Sequence, residues 1–288
     1  MKNLARQRYA ELIGQKAALR SDRLVSAFAE VPRENYLGPG PWQILRPPSL
    51  WNYENTQDDD PAHIYDDVLV ALDATRRINN GCPSGLAAWI DALDLREGDY
   101  VVHAGCGAGY YTAIMAHVVG DKGHVTGIEF DPELAARARR SLAHLRNVEV
   151  IAGDAASYDT GKADGFFVNA GATHPLPLWL DSLKPGGRLV LPLIRWPAGS
   201  RFGEGIAGLG VMLRIERLAN GYSAKFISQI GIFPCLGALD SEADRVLAEA
   251  LQRGTLTSVR SLRRDVHDAA SSCLLHGRGY CFSGIALQ

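Results

Sequence analysis

Helical and extended segments alternate between residues 85 and 194, and this alternation restricts the fold more than any other feature of the sequence. Such alternation indicates right-handed crossovers and a parallel sheet with helices on both faces. We therefore predict a doubly wound α/β fold with a mostly parallel sheet. The predicted helices are 85–93, 110–119, 132–145 and 176–183, and the predicted strands are 100–104, 124–130, 148–152, 165–170 and 188–194.

Turn residues after this region indicate how the sheet ends. Two apolar segments, 212–218 and 224–233, flank Asn220-Gly221, which is typical of a two-residue β-hairpin turn. The sheet should therefore close with an antiparallel pair. The remaining predicted elements are a helix from Ser241 to about Gly254 and a strand pair that turns at 277–279.

The first 80 residues have a different pattern. Apolar residues from Leu24 to Val31 recur at helical spacing and stop at Pro32, which predicts a helix with a proline boundary. Residues 38–62 contain several prolines and an acidic run, and they predict a long irregular segment. We divide the chain into an N-terminal helical and loop region, an α/β domain and a C-terminal extension, with the limits 1–80, 81–237 and 238–288.

Composition excludes several classes of protein. The formal net charge of −2 provides no global field that would attract nucleic acid or an anionic membrane. No apolar run reaches the roughly twenty residues that a membrane helix requires. Charged residues interrupt the first twenty residues, which therefore lack the uninterrupted apolar stretch of a secretory signal. The five cysteines include no C-x-x-C pair, which argues against a disulfide framework. We expect a cytoplasmic protein with reduced thiols and without nucleic-acid or membrane partners.

A glycine-rich turn joins the predicted strand 100–104 to the predicted helix 110–119. Gly105, Gly107 and Gly109 follow the pattern G-x-G-x-G, which departs from the dinucleotide pattern G-x-G-x-x-G. Glycines allow a ligand to approach the backbone, and a helix start supplies free N–H donors. The turn therefore favours a nucleotide-like cofactor, with a nicotinamide dehydrogenase as the second interpretation.

Carboxylates follow two later strands at the same predicted edge of the sheet. Glu129 ends the next strand, twenty residues after Gly109, where a carboxylate can accept both hydroxyls of a ribose. Gly153-Asp154 ends the strand after that, and Asp154 could accept a hydrogen bond from an adenine amino group. Both positions fit a bound nucleoside.

These motifs, together with 183–189, resemble those of the class I S-adenosylmethionine (SAM)-dependent methyltransferases, whose fold is Rossmann-like. Further stretches resemble the protein-L-isoaspartate O-methyltransferase family more narrowly. The resemblance spans about residues 24–237. The stretches that carry it are Val31–Glu34, Tyr65–Asp67, Gly105–Ala113, Val168–Ala172 and Gly186–Pro192.

The resemblance implies that SAM is the cofactor and that region 81–237 binds it. The glycine turn and the strand ends supply the contacts. The resemblance places Gly105, Cys106, Gly107 and Gly109 along the methionine portion of SAM, Glu129 on the ribose, Asp154 and Ala155 on the adenine, and Asn169 beside the methyl-donor region.

Four further residues of these motifs are candidate cofactor contacts: Tyr110, Thr112, Gly153 and His103. Members of the family usually carry an acidic residue where this chain has His103. A histidine cannot reproduce the attraction of a carboxylate for the ammonium group of the cofactor. We expect either a weaker contact there or a histidine satisfied at the end of its strand.

The acceptor side resembles the family less closely. Tyr65 and Asp67 match the Tyr-x-Asp element of the family, and with Gly81 and Asn169 they are the candidate catalytic residues. Gly81 stands where the Ser-x-Pro element of the family has a serine that is associated with the substrate carboxyl group. The resemblance implies methyl transfer to a carboxylate of a protein or peptide, whereas Gly81 predicts that isoaspartyl peptides are poor substrates.

Two alternatives remain open at this point. The acceptor could be a small-molecule hydroxyl group or a peptide natural product, and His174 would then be a candidate general base. The chain could also bind SAM without catalysis. The sequence does not determine the oligomeric state.

The loop 38–62 and the extension after residue 237 are expected to shape the acceptor pocket. Aromatic residues in the loop, Trp42, Trp51 and Tyr53, would grip the acceptor or would pin the loop to the core. The extension contains His267, Cys273, His276 and Cys281, whose spacings match no common structural zinc site. Alternation within strands accounts for these four residues, and the sequence predicts no metal site.

Overall fold

The computed structural model describes residues 2–46, 52–196 and 208–287. Its helices are α1 (Lys2–Lys16), α2 (Asp22–Glu30), α3 (Glu34–Leu37), α4 (Pro83–Asp91), α5 (Tyr110–Val119), α6 (Pro132–Leu142), α7 (Pro177–Asp181) and α8 (Ser241–Gln252). Its strands are β1 (Gln43–Leu45), β2 (Glu54–Asn55), β3 (Leu69–Asp73), β4 (Ile78–Asn79), β5 (Tyr100–Ala104), β6 (His124–Glu129), β7 (Val148–Ala152), β8 (Ala163–Val168), β9 (Leu183–Ile194), β10 (Gly208–Leu218), β11 (Gly221–Ile232), β12 (Ser261–Arg263), β13 (Cys273–Gly277) and β14 (Tyr280–Ser283).

The described residues form two compact units whose segments interleave along the chain. The first unit lies within residues 2–100 and 106–153, and the second lies within 101–105 and 154–287. The region limits at residues 80 and 237 stay a prediction from the sequence.

The first unit contains helices α1 to α6 and a parallel pair of strands. Strands β6 and β7 align in parallel, and Glu129 at the end of β6 pairs with Ala152. Helix α5 is buried along nearly its whole length because its residues are almost all apolar, whereas α6 buries only one face. The parallel pairing and the intervening helix α6 agree with the predicted alternation.

The second unit contains parallel strands that continue into antiparallel ones. Strand β8 pairs in parallel with both β5 and β9. Strand β10 pairs antiparallel with β9 and with β11, and Leu218 pairs with Gly221, so the hairpin turns at Ala219-Asn220, one residue before the predicted Asn220-Gly221. Antiparallel pairs then join β11 to β12, β12 to β14 and β14 to β13. The closing antiparallel pair is confirmed, and the extension adds its own strands to it.

The prediction that residues 38–62 are irregular was wrong in part. Strand β1 lies in this segment and pairs antiparallel with β2 and β3, and β3 pairs with β4. Trp42 is only 5% exposed, and its indole Nε1 donates to the carbonyl of Gly38 at 3.0 Å. Trp42 packs in the same core cluster as Ile44 and Val70, so it pins the loop to the first unit. Trp51 lies outside the described residues.

Two smaller differences concern the start of a helix and the start of a strand. The Asp240 carboxylate, one residue before the predicted start, caps α8 by accepting from the Ala243 amide at 2.7 Å. Strand β9 begins at Leu183, five residues before the predicted 188.

Among the residues that the structure describes, no helix has both the length and the apolar character needed to cross a membrane.

A buried cation, Arg33, organises the interior of the first unit. Its side chain has no exposed surface. The guanidinium donates to the carbonyls of Ile64 at 2.6 Å, Asp66 at 3.1 Å and Val68 at 2.8 Å. These bonds fix the backbone of residues 64–68, which include the predicted acceptor element.

Two aromatic rings pack against this guanidinium. Cζ of Arg33 lies 5.8 Å from the ring centre of Tyr9 and 5.9 Å from that of Tyr110. Arginine suits this environment because its planar donors reach several carbonyls while its faces pack on aromatic rings. Arg33 lies in the stretch Val31–Glu34 that carries part of the family resemblance.

Replacing Arg33 should therefore destabilise the first unit. Arg33→Met would leave three buried carbonyls without donors, and we expect the free energy of unfolding to fall by at least about 3 kcal/mol. Urea denaturation followed by circular dichroism measures this change. Arg8→Met, at an exposed position of α1, is the control and should change stability by less than about 0.5 kcal/mol. Equal effects of the two substitutions would contradict a structural role for Arg33.

Candidate functional site

The glycine turn has the backbone that its sequence predicts. Gly105, Gly107 and Gly109 have φ angles of +77°, +56° and +93°, which favour glycine. Gly109 is also the N-cap of α5, and a Cβ atom there would lie 2.7 Å from Cδ1 of Leu142. The turn can therefore form only because its residues lack side chains at these positions.

The Glu129 carboxylate holds this turn in the first unit. Oε2 accepts from the Gly107 amide at 2.7 Å, and Oε1 accepts from the Asp131 amide at 2.9 Å. The side chain is largely buried, and burial raises the pKa of Glu129, which the two amides only partly offset. A carboxylate has about four acceptor positions, so two remain for hydroxyl groups of a ligand.

Three candidate residues of the same motif point into the interior of the first unit. The side chain of Thr112 has no exposed surface and that of Tyr110 has 1%. The Tyr110 ring packs against Tyr36, with ring centres 5.6 Å apart. The Cys106 sulfur faces Gly127, and burial raises the pKa of this thiol. These side chains support the turn, and only their backbone could contact a ligand.

The second unit positions Asn169 beside the start of the turn. The Asn169 amide donates to the carbonyl of Ala104 at 2.8 Å. Its Nδ2 donates to the carbonyl of Gly105 at 3.3 Å. A Cβ atom on Gly105 would lie 3.1 Å from the backbone carbonyl oxygen of Asn169. The structure thus brings together two residues that the sequence assigned to the cofactor.

The Asp154 carboxylate belongs to a tight local structure in the second unit. Oδ1 accepts from the Ala156 amide at 2.9 Å, while the carbonyl of Ala155 accepts from Trp179 Nε1 at 2.8 Å. Gly237 packs against the other oxygen, because a Cβ atom there would lie 2.2 Å from Asp154 Oδ2. The sequence analysis missed Gly237, and a lone glycine after a strand carries no signal for such a contact. Gly153, at the end of the first unit, donates its amide to the Glu129 carbonyl at 2.9 Å.

His103 lies in the interior of the second unit. The side chain has no exposed surface and stacks on Phe167 with ring centres 5.1 Å apart. Burial lowers the pKa of His103 to about 3, so the imidazole is neutral. A ligand cannot reach this ring without rearrangement of its surroundings, and a contact of His103 with the cofactor stays a prediction from the sequence.

The predicted acceptor residues Tyr65 and Asp67 are both held by neighbours in the first unit. The Tyr65 hydroxyl donates to Glu34 Oε2, and burial raises the pKa of Tyr65. Asp67 accepts from the Ser84 amide at 2.9 Å, the Ser84 hydroxyl at 2.8 Å and Lys16 Nζ at 3.2 Å. Burial raises the pKa of Asp67, but the bonds from Ser84 outweigh this effect and the pKa lies below its ordinary value. Asp67 therefore stabilises the start of α4.

Gly81 adopts a conformation that disfavours any other residue. Its φ angle is +75°, its amide donates to Asn79 Oδ1 at 2.8 Å, and a Cβ atom would lie 2.7 Å from Leu86 Cδ2. The hydroxyl nearest in sequence belongs to Ser84, which the sequence analysis missed. Ser84 directs its hydroxyl to Asp67. Gly81 therefore supplies no side-chain hydroxyl at the position that the sequence analysis assigned to the family serine.

The extension packs on the loop after β8 within the second unit. The Gly171 amide donates to the Phe233 carbonyl at 2.7 Å, and the Thr173 amide donates to the Ala238 carbonyl at 3.1 Å. His174 Nδ1 lies 3.1 Å from Thr173 Oγ1, and its ring lies 6.2 Å from that of Tyr280. Burial lowers the pKa of His174, so the neutral form predominates at neutral pH.

Comparisons with solved structures support the fold. A protein-L-isoaspartate O-methyltransferase structure superposes with a TM-score of 0.60 at 19% identity, covering 91% of this chain and 73% of the other. A β-aspartate methyltransferase (PCMT) from Plasmodium falciparum, solved in complex with S-adenosyl-L-homocysteine, gives a TM-score of 0.58 at 16% identity and covers 80% of this chain and 97% of that one. These likenesses confirm the predicted α/β fold class.

Comparisons of sequence identify the family. Residues 55–199 match the family model described as Protein-L-isoaspartate(D-aspartate) O-methyltransferase (PCMT). Protein-L-isoaspartate O-methyltransferase 2 of Archaeoglobus fulgidus is 36% identical over 199 residues, which cover 66% of this chain and 80% of the relative. A protein-L-isoaspartate O-methyltransferase of Methanothrix thermoacetophila is 36% identical over 177 residues, or 60% of this chain and 74% of the relative. This chain therefore belongs to the protein-L-isoaspartate O-methyltransferase family.

Proposed function

We propose that this chain binds SAM at the turn held by Glu129 and transfers its methyl group to a carboxylate of a protein or peptide. The observation that carries the proposal is the Glu129 carboxylate, fixed by the Gly107 and Asp131 amides with acceptor positions to spare. Family membership supports the same cofactor, because a solved relative binds S-adenosyl-L-homocysteine. The chain is accordingly a SAM-dependent methyltransferase.

The residues of the turn fit such a cofactor. Gly105 and Gly107 carry no side chains, so a ligand can approach their backbone. Glu129 can accept from ribose hydroxyls without giving up the bonds that hold the turn. Asp154 and Ala155 for the adenine, and Asn169 beside the methyl-donor region, are proposed from the family resemblance. Bound SAM supplies an electrophilic methyl group on a sulfonium whose departing thioether is neutral.

The protein contributes to this reaction mainly by positioning the acceptor carboxylate and the methyl donor. A carboxylate acceptor is already ionised at neutral pH, so methyl transfer to it requires no general base. Orientation of the reactants can supply about 7–11 kcal/mol in well-aligned systems. Tyr65 and Asp67 suit this role, because each is fixed by a hydrogen-bond partner and neither is free to act as a base. We propose both as positioning residues.

The acceptor pocket is proposed to involve the extension after residue 237. Hydrogen bonds of Thr173 with the Ala238 carbonyl and with the Asp240 amide support this assignment, since the loop 171–173 closely follows Asn169. Trp42 is not part of the proposal, because it is buried in the core of the first unit. Tyr53 stays a prediction from the sequence.

A second candidate acceptor is a hydroxyl group. His174 is the residue that suits it, because its imidazole, whose Nδ1 lies beside Thr173 Oγ1, can accept a proton from the acceptor in its neutral form. The products distinguish the candidates: a methyl ester hydrolyses in mild base and a methyl ether does not. A chain that binds SAM without catalysis would yield neither.

The cytoplasmic location is also part of the proposal, and the free thiols of all five cysteines fit a reducing compartment.

Substitution of Glu129 should weaken cofactor binding. Glu129→Ala removes charge-assisted hydrogen bonds worth about 1.5–3 kcal/mol each, which predicts a loss of affinity of at least about tenfold. Calorimetric titration with S-adenosyl-L-homocysteine measures the affinity without turnover. Glu133→Ala, at an exposed position of α6, is the matched control. An unchanged affinity in a folded Glu129→Ala chain would remove Glu129 from the site.

The pH dependence of binding provides a separate test. Because the pKa of Glu129 is raised, its carboxyl group should become neutral at a higher pH than an ordinary glutamate does. We expect the affinity for S-adenosyl-L-homocysteine to fall as the pH decreases through that raised pKa. Glu129→Gln should bind weakly and lose this dependence. The same titration midpoint in both proteins would show that another group is responsible.

Ordinary isoaspartyl peptides should be poor substrates. Gly81 supplies no hydroxyl to the acceptor carboxyl group, and Ser84 already donates its hydroxyl to Asp67. Transfer of radiolabelled methyl groups to an isoaspartyl peptide measures the activity, with a family member that has the serine as the positive control. Turnover at the rate of that control would contradict the prediction.

Gly81→Ser is expected not to restore this activity. A side chain in the left-handed region costs about 1–2 kcal/mol, so the substitution should lower stability without placing the hydroxyl correctly. Gly284→Ser is the matched control, because a Cβ atom there makes ordinary contacts at 3.6 Å.

A further inference from the structure

Four metal-ligating side chains of the extension come together in the second unit. They are His267, Cys273, His276 and Cys281, and one ligand atom of each lies within 4.8 Å of the others. His267 lies in the segment 264–270, which has no regular secondary structure, and the others lie on β13 and β14. Nothing in the methyl-transfer site uses these residues.

A β-bulge explains why the strands do not separate them. Cys273 and His276 are three residues apart, so regular alternation would place them on opposite faces of β13. In the structure Cys273 pairs with Ser283 and Leu275 pairs with Phe282, so β13 advances two residues where β14 advances one. The extra residue turns Cys273 to the face of His276.

Cys281 shares that face because it is the direct cross-strand partner of His276. The expectation that alternation accounts for these four residues was therefore wrong for this hairpin. The sequence does not predict the bulge, since residues 273–275 include no glycine or proline.

We propose that His267, Cys273, His276 and Cys281 bind one Zn²⁺ ion. A tetrahedral site with Zn–S of about 2.3 Å and Zn–N of about 2.0–2.1 Å places neighbouring ligand atoms about 3.3–3.8 Å apart. His267 Nε2 and Cys273 Sγ are already 3.7 Å apart. Small side-chain rotations bring the remaining atoms, all within 4.8 Å, to this spacing.

The hydrogen bonds around the cluster prepare His267 and Cys273 as ligands. His267 Nδ1 donates to the carbonyl of Asp265 at 3.0 Å, so the lone pair of the neutral ring lies on Nε2, which faces the cluster. The Ala270 amide donates to Cys273 Sγ at 3.3 Å, which favours the thiolate. Metal-binding histidines commonly have an outer partner of this kind.

His276 provides an independent observation. Within the described part of the chain, its buried Nδ1 has no hydrogen-bond partner. A buried polar nitrogen without a partner is costly, and its ring lies 4.9 Å from that of His267, centre to centre. A metal ion among the four side chains would give His276 a ligand role that no protein group supplies.

The ligand set selects the metal and its role. Two thiolates and two imidazoles suit zinc, whereas magnesium and calcium prefer oxygen ligands. The two thiols release their protons on binding, so the ion and its four ligands carry no net charge. Four protein ligands leave no position for a substrate, so the site is structural. The ion would tie the irregular segment 264–270 to the β13–β14 hairpin.

Metal analysis of the full-length chain tests this proposal. We expect the protein, purified without chelators and with reduced thiols, to retain one zinc per chain after gel filtration in metal-free buffer. His267→Ala and Cys273→Ser should bind zinc at least about tenfold more weakly in competition with a chromophoric chelator. Replacement by Co²⁺ should give the intense visible absorption of a tetrahedral site and thiolate-to-cobalt charge transfer. His144→Ala and Cys235→Ser are matched controls outside the cluster and should retain the zinc.

Circular dichroism establishes that each variant is folded. His267→Ala keeps the test informative if Cys273→Ser fails to fold, because His267 lies outside the strands. If the folded wild-type chain retains no more zinc than folded His267→Ala, the proposal is wrong. If the control variants lose as much zinc as the cluster variants do, the zinc is adventitious and the proposal is also wrong. A Cys273–Cys281 disulfide in protein purified without oxygen would contradict it as well.

Discussion

The buried guanidinium of Arg33 is the constraint on which the backbone of residues 64–68, with the predicted acceptor residues Tyr65 and Asp67, depends. A buried cation needs hydrogen-bond acceptors, and the carbonyls of Ile64, Asp66 and Val68 accept from Nη1 and Nη2 of this guanidinium. That segment has little secondary structure of its own, so its carbonyls equally require the arginine. One interaction thus satisfies two sets of polar groups and fixes the backbone between them.

The positions of the next residues follow from this fixed backbone. With residues 64–68 in this position, Tyr65 reaches Glu34 and Asp67 accepts from the start of α4. A similar arrangement exists at the glycine turn, where the Glu129 carboxylate fixes the backbone and is also the group that we propose to bind the cofactor. In both places the groups that would position a substrate are held by hydrogen bonds to the protein, which reduces the reorganisation needed on binding.

Regular periodicity made part of the structure predictable. The predictions for β5 and α5 match the observed bounds, because each is a continuous apolar segment with a clear turn at its end. The glycine turn and Glu129 were predictable because their spacing reflects a specific backbone requirement. The small sheet of β1 to β4 was not, since strands of two to five residues show too little alternation.

Other residues were missed or left open because their environment depends on distant parts of the chain. His103 is polar and ends a strand, yet burial against Phe167 makes it part of the interior. Ser84 became visible only when folding brought it to Asp67, seventeen positions away in the chain. Gly237 approaches Asp154 for the same kind of reason. Pairwise spacing carries no information about contacts of this type.

The bulge in β13 has a consequence for how the cluster of His267, Cys273, His276 and Cys281 can arise during evolution. Its assembly depends on the number of residues between Cys273 and Leu275 as well as on the identities of the four side chains. Loss of one residue there would leave all four in the sequence and turn Cys273 to the opposite face. Relatives that conserve every cysteine and histidine could therefore differ in this cluster through a single codon deletion, and an inventory of residue types would not reveal the change.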